Sequence, residues 1–600
     1  MSAGDWDLGA YFREFGGAEF EEYRDALRAG VEALAARVAR LAELAPDVHD
    51  AWVEALIELE ALDSRAGHLG SYLGCLSAAD AREDAIKAAV ATAARDRVEL
   101  QKIHLGVRAA LGRTTAACVE ALVADPRLAP VRYFIERERD HAARSMPADL
   151  EALASELGVD GLGAWGRLYD TLSGGLEFEL VRGNGERERL PVAMTRTLLE
   201  DPDPEVRRAT LRGANAAWAG VGEVAAAALN AIAGARLTLD RRRGVEDFLE
   251  APLFDSGIGR RTLHVMREVV QARFEVPRAF LRRKARLLGK DRLGFHDLMA
   301  PTPFDSPERI PIARARTQVI DAFERGYPGL ADFAREAFAR RWIDHTPRAG
   351  KRPGGFCSTS HEIGESRIFM TYDGAPGDVS TLAHELGHAW HGWLMRDMRS
   401  WARRYPMTLA ETASTFAENL VTDAVLSDPE ASRAARLAVL DARLMDAAAY
   451  LLNIEMRFRF EARFYEARAD GEVPLEELKR FMSEAQCEVY ADALDPEELD
   501  PWFWASKLHF YITGLRFYNF PYTFGYLFSS VLFARARAEG PDFIPEYETL
   551  LRRTGSGSAE QIAAACLGVD LTQPDFWNAS LDLVEADRAL FEALLAEAGR

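Results

Sequence analysis

Two histidines separated by one helical turn are the residues of this 600-residue chain best suited to chemistry. They lie in the stretch TLAHELGHAW, as His384 and His388 with Glu385 beside the first. On an α-helix, residues four apart share a face, so both imidazoles can bind one Zn²⁺. Glu385 points slightly off that line, where its carboxylate can deprotonate a water activated by the metal. The pattern predicts a zinc hydrolase, provided that the chain supplies a third ligand.

Three side chains come into question as that third ligand. His391 follows the pair, but it would lie about 10 Å along the helix from His384. We therefore expect His391 in the core or beside a ligand rather than on the metal. Glu411 and Glu418 lie on a second predicted helix, beginning near residue 406, on a common face. Glu411 is the preferred ligand, and Glu418 is either the alternative or an acceptor that orients a ligand histidine.

Most of the sequence predicts α-helices, which must carry these side chains. Segments rich in Ala, Leu, Glu and Arg dominate, and Trp52, Leu56, Leu59 and Leu62 form one typical apolar stripe. Three helical blocks fill residues 18–125 and predict helical hairpins. A soft domain boundary is predicted near residues 201–208.

Two short segments predict β-structure. Residues 176–192 alternate apolar and polar side chains around Gly183-Asn184-Gly185, which predicts a β-hairpin. Residues 366–374 predict a strand just before the histidine helix, and we expect it to be the sheet edge that receives an extended peptide. Asp378 or Ser380 is expected to cap the helix that follows.

The composition excludes several classes of protein. The formal net charge is −21 and the sequence contains no long Lys/Arg run, which argues against nucleic-acid binding. The five cysteines are scattered, so neither a disulfide framework nor a cysteine zinc site is expected. The most apolar stretch, residues 224–237, is too short to span a bilayer, and the first residues do not resemble a secretory signal. We therefore expect a cytoplasmic protein without membrane contact; the sequence does not indicate its oligomeric state.

Three blocks of the sequence together resemble the oligoendopeptidase F and thimet oligopeptidase family of zinc metallopeptidases. They are HELGHAWH, AETASTFAENL, and HFYITGLRFYNFPYTFGYLFS at residues 509–529, in the family's order and with its spacing. The stretch SRIFMTYDGAPGDVSTLAHELGHA also resembles the family's approach to the metal. The resemblance covers most of residues 200–590 and is greatest to bacterial oligoendopeptidase F.

The resemblance implies a fold and a set of roles. The fold would be mainly α, a multi-helix, thimet-oligopeptidase-like bowl enclosing a deep cleft or channel. Residues 1–200 would form a helical domain covering the cleft, and residues 201–600 the catalytic domain. One zinc per chain would be bound by His384, His388 and Glu411, with Glu385 as the general base.

The third block would stabilise the transition state. Its candidate residues are His509, Tyr518, Tyr522 and Tyr526, and a phenol aimed at the developing oxyanion would explain the tyrosines. Pro521 and Gly525 predict a flexible turn within this aromatic run. The sequence does not decide which tyrosine donates the hydrogen bond.

The predicted function is zinc-dependent hydrolysis of internal bonds in short peptides. The partners would be oligopeptide substrates, without nucleic acid or membrane. Two alternatives stay open: a metallopeptidase acting at one end of the peptide, such as a carboxypeptidase or aminopeptidase, or a non-catalytic helical scaffold that binds peptides. A structural zinc would have four protein ligands, whereas a catalytic one keeps a position for water.

Overall fold

Helices dominate the computed structural model, which describes residues 5–304 and 309–597 and is 71% helical. Twenty-four α-helices occur in these described ranges. In chain order they are α1 (Ala18–Val38), α2 (His49–Ala79), α3 (Asp84–Arg113), α4 (Ala116–Ala124), α5 (Arg132–Ala142), α6 (Ala148–Asp160), α7 (Leu162–Gly175), α8 (Thr195–Leu199), α9 (Pro204–Arg242), α10 (Glu250–Asp255), α11 (Arg260–Ala272), α12 (Glu275–Leu287), α13 (Ile312–Gly326), α14 (Pro328–Ala339), α15 (Pro376–Leu394), α16 (Ser414–Ser427), α17 (Arg433–Ala448), α18 (Ile454–Asp470), α19 (Leu475–Tyr490), α20 (Phe503–Ser506), α21 (Phe520–Glu539), α22 (Ile544–Arg553), α23 (Ala559–Leu567) and α24 (Pro574–Glu597).

Two small sheets accompany the helices. The first is an antiparallel hairpin of β1 (Glu177–Val181) and β2 (Arg187–Pro191), which confirms the hairpin predicted over residues 176–192. The second contains β3 (Ile343–Asp344), β4 (Phe356–Ser360) and β5 (Glu365–Phe369) in the order β3-β5-β4. β3 runs parallel to β5, and β4 runs antiparallel to β5.

The strand predicted over residues 366–374 differs from β5 in length and in position. The observed strand β5 ends at Phe369. It lies in the centre of its sheet, because β3 pairs with one of its edges and β4 pairs with the other. The prediction that this strand is the receiving edge is therefore wrong. Among the described strands of this sheet, β3 and β4 are the two edge strands, and β4 is the longer of them.

Contacts divide the chain into two compact units. The first unit contains Met1–Ala148, Pro307–Ser427 and Leu532–Asp570. The second unit contains Asp149–Ser306, Asp428–Val531 and Leu571–Arg600. The HELGH motif belongs to the first unit and the aromatic block to the second. The boundary at residue 200 and the covering role of residues 1–200 stay predictions.

In the first unit, the three-stranded sheet lies between α2 and α15. Side chains of a strand alternate between its two faces. On β4, Ser360 Oγ lies 2.7 Å from His68 Nδ1 of α2, whereas Thr359 faces α15. A Cβ added to Gly392 of α15 would lie only 2.9 Å from Thr359 Oγ1. The N-terminal helices therefore support, through this sheet, the helix that carries the histidines.

The start of α15 is fixed by a carboxylate. Asp378 Oδ2 accepts hydrogen bonds from the Ala375 N–H at 3.0 Å and the Asp373 N–H at 2.8 Å. Pro376 is the first helical residue, a position where its missing N–H costs nothing. Asp378 thus takes part in capping the helix, as predicted, whereas the Ser380 hydroxyl donates a hydrogen bond to Glu418.

The second unit is built around α9. The hairpin packs on this helix so closely that a Cβ on Gly213 would lie 2.5 Å from Glu179 O. By length and composition α9 is the one membrane-span candidate found in the described residues, and half of its apolar window is buried inside the protein. The stretch 224–237 includes buried Ala225, Leu229 and Ala233, as in a core helix.

Candidate metal centre

Helix α15 brings the two motif histidines together. His384 and His388 lie one turn apart, and their Nε2 atoms are 3.1 Å from each other. Both side chains are part-buried. The helix continues to Leu394, so the motif lies well inside it rather than at a frayed end. The helical spacing predicted from the sequence is therefore present.

Glu411 completes a group of three donors. Its Oε2 lies 3.3 Å from His384 Nε2 and 3.4 Å from His388 Nε2. The prediction that Glu411 lies on an α-helix is wrong: it lies in a 3₁₀ segment, Met407–Thr412, and α16 begins at Ser414. Hydroxyls compete for the backbone here, since Thr412 Oγ1 donates to Leu409 O at 2.8 Å.

Gly387 allows this approach. A Cβ at this position would lie 2.5 Å from Ala413 O and 2.6 Å from Ser414 Cα, closer than real Cβ contacts. Only glycine therefore lets α15 contact the backbone that follows Glu411. Ser414 also holds the carboxylate, since its Oγ donates to Glu411 Oε2 at 2.6 Å. Neither Gly387 nor Ser414 was predicted as a site residue; a glycine inside an otherwise good helix pattern is the available signal.

The three donors fit a zinc ion. Ligand atoms at 2.0–2.1 Å from a tetrahedral zinc lie about 3.3–3.4 Å apart. The observed separations of 3.1, 3.3 and 3.4 Å agree with this spacing. Two imidazoles and one carboxylate are also a known donor set of catalytic zinc sites, which leave the fourth position for water. No fourth His, Cys, Asp or Glu belongs to this group in the part of the chain that the structure describes.

Glu418 orients the first histidine. Its Oε1 lies 2.5 Å from His384 Nδ1, and its Oε2 accepts a hydrogen bond from Ser380 Oγ at 2.9 Å. Burial alone would lower the pKa of His384, but Glu418 and then Glu411 raise it to about 9. Burial would raise the pKa of Glu411, but the hydrogen bond and charge of His388 and the charge of His384 bring it to about 2. The group is therefore rich in negative charge and favours a cation.

Glu385 has an open acceptor beside this group. Its side chain is buried, and its Oε2 has no hydrogen-bond partner among the described residues. Burial is the main cause that raises the pKa of Glu385, and Glu411 and Glu418 act in the same direction, while His384 and His388 oppose them. A carboxylate with a raised pKa and a free oxygen is suited to receive a proton.

His391 lies apart from the three donors. Its Nε2 is 3.0 Å from Leu551 O and 2.9 Å from Thr554 Oγ1, and its ring stacks on Tyr405. The side chain is completely buried, and burial lowers its pKa to about 4. These contacts are those of a core histidine that joins α15 to α22.

In the second unit, three of the four predicted transition-state residues lie together. Ring centroids are 5.2 Å apart for His509 and Tyr518, 5.0 Å for Tyr518 and Tyr522, and 6.2 Å for His509 and Tyr522. Burial, followed by the charges of Arg457 and Lys507, lowers the pKa of His509 to about 4. His509 is therefore neutral at pH 7 and can donate one N–H.

Tyr526 does not join these rings. It stacks on Tyr450 at 4.8 Å, one turn further along α21 than Tyr522. The flexible turn predicted at Pro521 and Gly525 is wrong, because α21 begins at Phe520 and includes both residues. Proline suits the first turn of a helix, where its missing N–H has no partner to lose.

The backbone before Tyr518 is held in a strained conformation. Phe517 has φ of 52°, a left-handed value that costs a residue other than glycine about 1–3 kcal/mol. The buried carboxylate of Glu461 accepts from the Phe517 N–H and from Asn519 Nδ2, both at 2.8 Å. Arg236 Nη2 donates to Leu515 O at 2.5 Å. The sequence did not single out Glu461, since a lone acidic residue in a helix is usually solvated.

A second acidic and histidine group occurs in the second unit. It contains His296, Asp297 and Glu498. Lys290 contacts Asp297 Oδ2, and Arg207 Nη2 lies 2.9 Å from Asp297 Oδ1. These cations already neutralise the carboxylate, so the group is a buried ion-pair network rather than a metal site.

Comparison with known families agrees with the arrangement of the motifs. The pattern of Peptidase family M3 matches residues 326–583, which include both the HELGH and the aromatic blocks. The pattern of Oligopeptidase F matches residues 111–178.

Two curated relatives illustrate the similarity. An oligoendopeptidase F homolog from Lactococcus lactis is 25% identical over 360 residues, which are 59% of this chain and 58% of the relative. The group B oligopeptidase PepB from Streptococcus agalactiae is 23% identical over 484 residues, 79% of this chain and 78% of the relative. The first of these alignments thus spans little more than half of the relative's length.

Solved structures share the fold. A Chlamydophila abortus structure has a TM-score of 0.82 at 19% identity and covers 99% of both chains. Oligoendopeptidase-F from Enterococcus faecium has a TM-score of 0.71 at 18% identity, covering 96% of this chain and all of that one. The multi-helix, mainly α fold expected from the sequence is confirmed. Residues 326–583 therefore match peptidase family M3, whose members are metallopeptidases, and the chain resembles the oligoendopeptidase F proteins.

Proposed function

We propose that the protein is a zinc-dependent endopeptidase that hydrolyses internal bonds of oligopeptides. One observation supports this most strongly: His384, His388 and Glu411 present three donor atoms 3.1–3.4 Å apart, beside the unpartnered Oε2 of Glu385. Three protein ligands with an open fourth position are the arrangement of a catalytic rather than a structural zinc.

The roles of the chain's own residues follow from this geometry. A zinc ion held by the three donors would act as a Lewis acid toward the peptide carbonyl and lower the pKa of a water molecule. Glu385 Oε2 takes a proton from the attacking water and passes it to the leaving amine nitrogen. Glu418 keeps His384 in the tautomer that presents Nε2, and Ser414 fixes the Glu411 carboxylate.

The edge strand β4 is the proposed support for the substrate. A peptide that pairs with a free sheet edge gains main-chain hydrogen bonds whatever its sequence. The backbone just before β4 adjoins the base, since a Cβ on Gly355 would lie 3.3 Å from Glu385 Oε1. A peptide on this edge would present a carbonyl near the base without requiring specific side chains.

His509, Tyr518 and Tyr522 are the proposed donors to the oxyanion. The support is their grouping within the second unit and the single family pattern that includes both them and the HELGH motif. A preorganised phenol or imidazole N–H aimed at developing charge stabilises the transition state more than the substrate. Tyr526 is a weaker candidate because it stacks on Tyr450.

Short peptides are the proposed substrates. Residues 1–200 are the proposed part of the protein that restricts access of longer chains to the metal centre. The chain's net charge of −21 and its lack of a long basic run give no basis for nucleic-acid binding. A cytoplasmic location is proposed on the same sequence grounds as before.

The test uses peptides blocked at both ends. We would incubate a mixed library of N-acetylated, C-amidated peptides with the protein and identify products by mass spectrometry. Internal cleavage that a zinc chelator abolishes and added zinc restores would support the proposal. Glu385→Gln, which keeps the shape but cannot take a proton at neutral pH, should bind zinc normally and lose nearly all cleavage. If only unblocked peptides were cleaved, the protein would instead be an exopeptidase. If no peptide were cleaved, it would be a non-catalytic scaffold.

A further inference from the structure

Two basic side chains of the second unit, Arg457 and Lys507, have no acidic partner among the residues that the structure describes. No carboxylate oxygen of the described residues lies within 4.0 Å of either cation. Both instead pack on one ring: the Arg457 guanidinium carbon lies 5.4 Å from the Phe503 centroid, and Lys507 Nζ lies 4.8 Å from it. The contrast with Arg459 is clear, because that residue pairs with Glu455 and Glu488.

The surroundings add positive rather than negative charge. His509 is close enough that Arg457 and Lys507 help to lower its pKa. Burial lowers the pKa of Arg457 to about 10, and burial together with Arg457 lowers that of Lys507 to about 8. The charge of Asp500 acts in the opposite direction on the pKa of Lys507, but Asp500 is itself buried and accepts the Trp502 N–H at 3.1 Å. Holding two half-buried cations without a counter-ion costs free energy that a bound anion would offset.

Arg457 is also oriented for a ligand. Its Nε donates to Asn453 Oδ1 at 2.8 Å, which leaves the two terminal nitrogens of the guanidinium without a partner among the described residues. Asn453 is in turn held by Tyr490, with its Nδ2 3.3 Å from the phenol oxygen. Asn453 ends a π-helical segment, Ala449–Asn453, between α17 and α18, and such segments are frequent at functional sites. A guanidinium fixed through Nε can offer paired N–H groups to a carboxylate.

We propose that Arg457 and Lys507 form a binding site for a carboxylate group of the peptide substrate. The inference rests on the proposed peptidase function, because a carboxylate is the anion that every unblocked peptide carries. Two sources share this chemistry: the C-terminal carboxylate and the side chain of an Asp or Glu residue. Recognition of either would give the enzyme a preference for peptide position or sequence that the zinc centre alone does not supply.

The experiment compares three peptides that share one cleavable core. One has a free C-terminal acid, the second a C-terminal amide, and the third the same amide with one glutamate near the C-terminus. KM and kcat are measured for the wild type, Arg457→Met and Lys507→Met, since methionine keeps an apolar stem against Phe503. Lys479→Met is the matched control, because Lys479 also lies over an aromatic ring, that of Trp502, but pairs with Glu476.

For the wild type, the preferred carboxylate peptide should have a KM about 10–100-fold below that of the plain amide, as expected for hydrogen bonds to a charged group. Arg457→Met and Lys507→Met should each reduce that ratio, mainly through KM, and Lys479→Met should not. Preference for the acid identifies the C-terminus, and preference for the glutamate amide identifies a side chain. Equal KM for all three peptides, or equal ratios in wild type and variants, would overturn the inference.

A binding measurement separates this inference from the proposed function. The same peptides are titrated against Glu385→Gln, with and without Arg457→Met, by calorimetry. Carboxylate-dependent affinity that Arg457→Met removes would support the site even if the wild type cleaved none of the peptides. Cleavage without any carboxylate dependence would retain the peptidase and refute the site.

Discussion

Replacing Gly387 by alanine should separate the two segments that build the metal centre. In an exposed helix this change would stabilise the protein by about 1 kcal/mol, because alanine has the higher helix propensity. Here the new methyl group would lie 2.5 Å from Ala413 O, and ordinary contact begins at 3.4 Å. The α15 backbone and the chain after Glu411 must therefore move apart by about 0.9 Å, since close-packed interiors have no free space to absorb the clash.

That displacement matters because metal ligands tolerate little error. Zinc–ligand distances vary by only about ±0.2 Å, so Glu411 would no longer reach an ion held by His384 and His388. We expect zinc affinity to fall at least about tenfold, because the loss of a residue that only supports a metal ligand already weakens metal binding by that factor. The free energy of unfolding should decrease by about 1–3 kcal/mol, the usual cost of overpacking.

Chelator competition measures the zinc affinity, and thermal unfolding followed by circular dichroism measures the stability. Gly377→Ala is the matched control, because Gly377 lies on the same helix and an added Cβ meets nothing within 4 Å. The control should bind zinc like the wild type. If Gly387→Ala kept wild-type zinc affinity, the close approach of α15 to Ala413 would not be what positions Glu411.

Three further predictions concern the roles of other residues. Glu418→Gln should weaken zinc binding by about 10–100-fold, because the amide lacks the charge that holds His384. Calorimetry measures this zinc affinity, and an unchanged value would exclude an orienting role for Glu418. If Tyr518 or Tyr522 donates to the oxyanion, its Phe variant should lower kcat by about 10²–10³ with little change in KM. Tyr526→Phe should lower kcat only slightly. Steady-state kinetics that show full kcat in all three variants would refute the assignment. A length series with one cleavable core should show cleavage of peptides of roughly 5–20 residues, which can lie extended at about 3.3 Å per residue, while unfolded casein survives; efficient casein cleavage would contradict size selection.

The pairing of the two candidate metal-binding histidines was predictable because it is local. The one-turn spacing of His384 and His388 requires only a helix, and the apolar pattern around them predicts one. The hairpin around Gly183-Asn184-Gly185 and the buried stripe from Trp52 to Leu62 are local in the same sense, and the structure contains both. Glu411 was selected by its position in the chain, and the structure brings it to the two imidazoles.

Features that depend on tertiary contacts were not predictable. Glu411 lies in a 3₁₀ segment because nearby hydroxyls bind the backbone, which periodicity does not reveal. β3 and β4 rather than β5 are the edge strands, since strand order within a sheet is set by partners far along the chain. Likewise, Arg457 and Lys507 lack a carboxylate partner among the described residues, which is visible only when their neighbours are known, because a charged residue in a sequence is normally expected to be solvated or paired.

We propose that His384, His388 and Glu411 bind one catalytic zinc, and metal analysis of the protein and a Glu411 variant can refute this assignment. The zinc content and affinity of purified wild-type protein would be compared with those of Glu411→Ala by elemental mass spectrometry and chelator competition. We predict one zinc per chain in the wild type and at least about tenfold weaker binding in the variant. Zinc bound to Glu411→Ala with unchanged affinity would contradict the claim and shift the third ligand to Glu418.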